Sequence, residues 1–378
     1  MKFRFLVLLL IGLVTMDLAG QKIIKNPANP ESKNAGSALI AQKVLEITDA
    51  SENYFFKGPY SLKIGPDGSV YVMDKDELLK FTPSGEFVKN FLKPGQGPGE
   101  TSNVSNYFIL EDNSVVVHNW SPNKMVFRDG NGELVSEKRL PFDRFSEFLF
   151  MNNKNYYLFT ITAPDTKGGV KYVDVLKKLT VISRQDFSIK KSVSLPLRVY
   201  MLNIPDGPHI RVNLIDLLSH RFKDTLFYFS HTFEYGIKLI DLDKNEIISE
   251  ITREYSRVKV TEENEKYLNS GRFGFNGKTY KSPTPEYFLD ILSLHVVDGK
   301  LLVFTSTVDK EKGVLVDVYD ETGKYINNFF VKFPNPGVYF QLNQHRTAVE
   351  KDTVFVIEKD EDENWMISKY KVPFTELL

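Results

Sequence analysis

The stretch Leu62-Lys63-Ile64-Gly65-Pro66-Asp67-Gly68-Ser69-Val70-Tyr71-Val72-Met73-Asp74 decides the fold. An apolar run enters an Asp-Gly turn and a second, almost wholly apolar run leaves it. Asp-Gly between two such runs signals a tight hairpin, because glycine supplies the positive φ of the turn at no steric cost. Five more segments repeat the pattern: Phe108–Asn119, Phe148–Thr160, His220–His231, Leu294–Ser306 and Thr347–Asp360. Their turns fall at Asp112-Asn113, Asn153-Lys154-Asn155, Lys223-Asp224, Asp298-Gly299 and Lys351-Asp352.

A second, polar-turned hairpin follows each apolar one except the last. Its turns are Thr82-Pro83-Ser84-Gly85, Asp129-Gly130-Asn131-Gly132, Arg184-Gln185-Asp186, Asp243-Lys244-Asn245 and Asp320-Glu321-Thr322-Gly323. Two successive hairpins give a four-stranded antiparallel blade, the unit of a β-propeller. The first two units are 45 and 42 residues apart, ordinary blade lengths, whereas the next two spacings, 70 and 74, announce insertions near 196–213 and 253–287. The sixth unit has chain left for three strands, and Gln42–Ile47 is placed to supply the fourth. The expected architecture is therefore all-β: one six-bladed propeller over residues 39–378, closed by an N-terminal strand in the last blade. Residues 21–38, with Pro27, Pro30, Ser32 and Gly36, read as a flexible linker.

The formal net charge of −1 over 378 residues offers no basic field for phosphates, so nucleic acid is not an expected partner. No cysteine is present, which excludes disulfides, thiolate nucleophiles and cysteine-based metal clusters. Residues 1–20 read as a cleavable signal peptide: Lys2 and Arg4, the apolar Phe5–Val14, then Leu18-Ala19-Gly20. That apolar run is too short to span a bilayer, and no later segment approaches a transmembrane span. Gln21 stands where a lipidated cysteine would be required, so the expectation is a periplasmic or secreted protein that is not a lipoprotein.

The first two units resemble NHL-type repeats and the six-bladed propellers of secreted bacterial proteins. Gly58-Pro59-Tyr60-Ser61-Leu62-Lys63-Ile64, Asp67 through Asp74, Leu79-Lys80-Phe81 and the loop Gly95-Gln96-Gly97-Pro98-Gly99-Glu100 carry the resemblance. It covers about 60 residues well; blade two has His118-Asn119 where Val-Asp is the pattern, and blades three to five lose it. The resemblance implies a ligand- or protein-binding propeller, sometimes a lyase or lactonase, and no single activity.

Several motifs have structural readings that outweigh catalytic ones. Gly95–Glu100 lacks the Lys-Ser/Thr of a phosphate loop and carries Pro98 and Glu100, which suits an inter-blade turn. Asp241–Asn245 begins like a calcium loop, but Glu246 replaces the required glycine and Thr252 the final glutamate. Asp74, Asp76 and Glu77 read as a solvated acidic loop, with a divalent ion such as Ca2+ at the strand end as the alternative. His209, His220 and His231 are eleven residues apart, neither a helical nor a tight metal-ligand spacing, and His118, His295 and His345 are scattered. No Gly-x-Ser-x-Gly elbow occurs.

The insertions hold the strongest functional signal, since long loops on a rigid scaffold carry binding groups. Thr261 is placed to cap a short helix through Leu268, ahead of the aromatic and basic run Arg272–Lys281. Both insertions precede the innermost strand of the next blade, which gathers them on one face. The expected function is thus a binding module for a protein, glycan or small-molecule ligand, monomeric and without a cofactor. Its contacts would be Arg211, Arg272, Phe273, Phe275 and Tyr280. The alternative is a metal-dependent lactonase or lyase in the central channel, with Asp74, Asp216 and Asp290 as candidate ligands.

Overall fold

A computed structural model describes residues 22–49, 54–141, 147–162, 171–203, 209–212, 218–230, 234–265, 268, 272–275, 278–281 and 284–378. Within it, backbone alone is described for residues 147, 160–162, 171–176, 196–203, 209–212, 272–275, 278–281 and 340. The signal-peptide segment, 1–20, lies outside the described residues.

The N-terminal segment forms β1 (Lys22–Asn26), β2 (Ser37–Ile40) and β3 (Gln42–Ile47). Blade 1 is β4 (Pro59–Ile64), β5 (Val70–Asp74), β6 (Glu77–Phe81) and β7 (Phe87–Asn90). Blade 2 is β8 (Val104–Ile109), β9 (Val115–Trp120), β10 (Asn123–Arg128) and β11 (Leu134–Arg139). Blade 3 comprises β12 (Glu147–Met151), β13 (Asn155–Thr162), β14 (Lys171–Ser183), β15 (Ile189–Asn203) and β16 (His209–Val212). Blade 4 is β17 (Leu218–Lys223), β18 (Leu226–Ser230), β19 (Ile237–Asp241) and β20 (Glu246–Arg253). A separate hairpin follows, β21 (Arg272–Phe275) with β22 (Lys278–Lys281). Blade 5 is β23 (Ile291–Val297), β24 (Lys300–Asp309), β25 (Gly313–Tyr319) and β26 (Tyr325–Lys332). Blade 6 is β27 (Thr347–Glu350), β28 (Thr353–Lys359) and β29 (Trp365–Lys371), with β3 pairing antiparallel to β29 as its fourth strand. Among the described residues no helix is long and apolar enough to cross a membrane.

The second strand of each blade reads as a continuous apolar run because both its faces are buried. Val70 and Val72 pack with Phe355, Ile357 and Ile367 of blade 6, whereas Tyr71 and Met73 pack with Tyr107, Val115 and Val117 of blade 2. Side chains two apart share a face, so one strand serves two interfaces. Among the described residues the same alternation produces six separate apolar clusters, one for each pair of neighbouring blades, including blade 6 with blade 1. That is the signature of a closed ring. The first-hairpin turns of blades 1 and 2 adopt the left-handed geometry the sequence demands, with Gly68 at φ 79° and Asn113 at φ 63°.

Two expectations need correction. Residues 21–38 are not a featureless linker: β1 adds in parallel to β20 on the outer edge of blade 4, and β2 adds in parallel to β26 on blade 5. Ile24 packs against the cluster between blades 4 and 5 and Leu39 is buried between blades 5 and 6, which anchors both short strands. Asn26 fixes β1, donating to Gly323 O (3.0 Å) and Thr252 O (3.2 Å) and accepting from Tyr325 N (2.9 Å). In the insertion near 196–213, the described residues 196–203 and 209–212 are likewise no loop over the channel. They prolong β15 and form β16, the outermost strand of blade 3. Four strand spacings of about 4.8 Å put β16 roughly 19 Å from the innermost strand.

Candidate functional site

The innermost strands end, turn by turn, around a cavity of about 610 Å³ at one mouth of the channel. Blades 1 to 4 supply its lining: Lys63 from β4, Phe108 and Ile109 from β8, Phe150 and Met151 from β12, and Arg221 from β17. Glu111, Asp112, Asn152 and Asn153, from the first-hairpin turns, form the rim.

Ladder register explains why these side chains meet. Lys63, Phe108 and Phe150 lie opposite Tyr71, Val116 and Tyr157, the residues of the second strands that face the following blade. In blades 4 to 6 the matching positions hold His220, His295 and Ala348, opposite Tyr228, Leu302 and Phe355. The His220 and His295 rings meet edge-on across blades 4 and 5, with centroids 5.7 Å apart. Burial pushes the His220 imidazole down to about 4 and holds His295 well below the usual histidine range, so both are neutral packing groups at neutral pH. The two histidines pack together between blades 4 and 5, and the cavity opens over the half of the ring formed by blades 1 to 3, with Arg221 at its edge.

Lys63 is the most constrained group in the open half. Its ammonium donates to the Tyr107 carbonyl and to Asn106 Oδ1 (3.1 Å), and it lies 4.4 Å from the Tyr107 ring centre and 5.2 Å from that of Phe108. Asn106 is held in turn by its own bond to Phe148 O (2.8 Å), which links blades 1, 2 and 3. Burial disfavours the charged amine and lowers its pKa to about 8. Arg221 points back from blade 4, stacked 5.1 Å over the Phe150 ring, with Nε donating to Asp224 O (2.9 Å). Two cations therefore bracket two phenyl rings.

The residues singled out from the sequence lie elsewhere. Arg211 sits on β16, register partner of Met201. Arg272, Phe273 and Phe275 lie on β21 and Tyr280 on β22, with Phe273 opposite Tyr280 and Arg272 opposite Lys281; none of these five side chains is described. The insertions enter the innermost strands at their beginnings, whereas the cavity surrounds their ends. Thr261 begins a turn closed by Glu265 N donating to its carbonyl (2.8 Å).

Asp216 lies outside the described residues. Asp290 is buried and pairs with Arg257 Nε (3.0 Å); Asp74 is buried and accepts from Lys57 N (2.7 Å), while Glu77 pairs with Lys57 Nζ (2.8 Å). Burial raises the pKa of both aspartates. Among the described residues no three His, Asp or Glu side chains gather to hold a metal.

Gly95–Glu100 is an inter-blade turn: Glu100 folds back to accept from Gly97 N (3.0 Å), putting a carboxylate where a phosphate loop would put its ligand. Asp241 accepts from Asp243 N and Lys244 N, the geometry of a hairpin turn.

Register and the six inter-blade clusters agree with the comparisons. Residues 45–197, the closing strand through most of blade 3, match the family model DUF5128, described as a 6-bladed beta-propeller. The chain is a six-bladed β-propeller. A Bacteroides fragilis structure, named as a candidate exported protein, is 16% identical, covers 93% of this chain and 99% of its own, and superposes with a TM-score of 0.52. A duf4221 family member from Bacteroides vulgatus is 11% identical, with 90% and 99% coverage and a TM-score of 0.54. At such identities the propeller likeness is one of fold. No curated protein matches in sequence.

Proposed function

We propose that this propeller is an exported binding module whose ligand seats in the cavity at the channel mouth. The observation that carries the reading is the cavity itself: about 610 Å³, lined from four blades by apolar side chains and, in equal number, by polar or charged ones. That size is in the range of small-molecule sites, and the ring of packed blades makes the site rigid before any ligand arrives. Export rests on the leader-like residues 1–20 and on the naming of the Bacteroides fragilis neighbour. The test is ligand-observed NMR with a library of organic acids, sugars and nucleosides. Wild type is compared with Asn153→Trp, which puts an indole on an exposed rim position. Binders that lose their signal in the variant support the reading. A library with no binders, or with binders indifferent to the indole, overturns it.

A further inference from the structure

We propose that the channel-mouth cavity selects an anion with an apolar or aromatic body, its charge held by Lys63 and Arg221 and its body against Phe108 and Phe150. This rests on the cavity being the binding site and adds the class of ligand.

The charges of the lining are unequal in what they can do. Lys63 is partly buried, and its two bonds run to neutral carbonyl oxygens. No ion pair joins Lys63 or Arg221 to a carboxylate among the described residues, whereas the buried Lys124, Lys238 and Arg253 lie 2.9, 2.7 and 2.8 Å from Glu137, Glu250 and Asp317. A cation taken out of water without a counter-charge is costly, and an incoming anion offsets that cost. The two carboxylates of the lining do not fill this role. Glu111 and Asp112 are exposed on the rim turn, and Asp112 is occupied with Ser114 N (2.9 Å) and Ser114 Oγ (2.5 Å). Water screens them, while the partly buried Lys63 acts through a medium of lower dielectric. Arg221 spends Nε on Asp224 O and stacks its guanidinium on Phe150, which leaves its terminal nitrogens for a ligand. Phe108, Ile109, Phe150 and Met151 then present apolar surface between the cations.

The experiment is calorimetric titration with three matched probes: 2-naphthoate, 2-naphthalenemethanol and 2-naphthylmethylammonium. Charge-assisted hydrogen bonds predict that naphthoate binds roughly tenfold or more tighter than the alcohol, with the ammonium weakest. Lys63→Gln and Arg221→Gln should each bring the acid toward the alcohol. Arg221 is exposed, so its variant keeps the test decisive if the Lys63 change unfolds the chain. Naphthoate affinity should also fall as pH rises through about 8, where Lys63 gives up its proton. The other titratable or charged groups facing it are Tyr107, whose phenol burial holds far above that range, Arg221, Glu111 and Asp112. Equal binding of acid and alcohol, or preference for the ammonium, overturns the ligand class and leaves the cavity as the site. If none of the three probes binds, the class and the cavity reading both fall.

Discussion

Asp317 of β25 offers a quantitative test of how blades 4 and 5 are joined. Its carboxylate is fully buried; Oδ2 accepts from Arg253 Nε (2.8 Å) and Tyr235 Oη (2.7 Å), and Oδ1 accepts from Tyr325 Oη (2.7 Å). Arg253 Nη2 also lies 2.8 Å from Oδ2, close enough to pair but off the hydrogen-bond line. The guanidinium is enclosed by the rings of Tyr235, Tyr255 and Tyr325 at 4.8, 4.8 and 5.3 Å. Asp317→Ala leaves a nearly buried cation and two buried phenols without their acceptor. Breaking a buried pair in this way costs about 3–5 kcal/mol. Arg253→Met should cost a similar amount, since it strands the carboxylate. The double variant should cost well under the sum, giving a coupling of about 3 kcal/mol. Urea denaturation followed by tryptophan fluorescence measures all three. Singles below about 1 kcal/mol, or an additive double, would refute the view that this pair works as one buried unit.

Two further outcomes follow from burial. His118 is 1% exposed, with Nε2 2.9 Å from Asn123 Oδ1, Nδ1 on Ser105 Oγ and its ring 4.4 Å from Phe148; burial pushes it down to about 4. Above the usual histidine range both folded and unfolded states are neutral, and on acidification the unfolded chain takes up the proton first. His118 should therefore account for roughly 3 kcal/mol of the stability lost between pH 6.5 and 4, beside the losses from His220 and His295, and His118→Gln should make that part of the urea-midpoint profile shallower by about that amount. Asn26→Ala strips Tyr325 N and Gly323 O of their partner and should cost about 1–3 kcal/mol, with loss of hydrogen-exchange protection along β1; unchanged exchange there would contradict the anchoring role.

What the sequence disclosed was local. Asp67-Gly68 and its five counterparts are short-range signals, and so is the fourth strand Gln42–Ile47, whose alternation survives without knowledge of its partner. β1 and β2 escaped because Pro27, Pro30 and Gly36 dominate that stretch, while the residues that make it regular, Ser249 to Arg253 and Phe329 to Lys332, are hundreds of positions away. The cavity escaped for the same reason: Lys63 and Arg221 share no motif and meet through the curvature of the ring. One signal was available. Lys63, Phe108 and Phe150 stand at matching places before their turns, and aligning the repeats on those turns superposes them. The eleven-residue histidine spacing carried no pairing signal, and the contact present among the described residues, His220 with His295, crosses a blade boundary.

The N-terminal strap also sets a timetable. β1, β2 and β3 are made first, yet their partners β20, β26 and β29 lie in the second half of the chain, β29 near its very end. Through most of synthesis the first segment has nothing to pair with, and the ring stays open until Trp365–Lys371 has appeared. Closing such long loops is entropically costly, and pairings of high sequence separation form slowly. The ring is therefore complete only when one of its last strands has paired with one of its first.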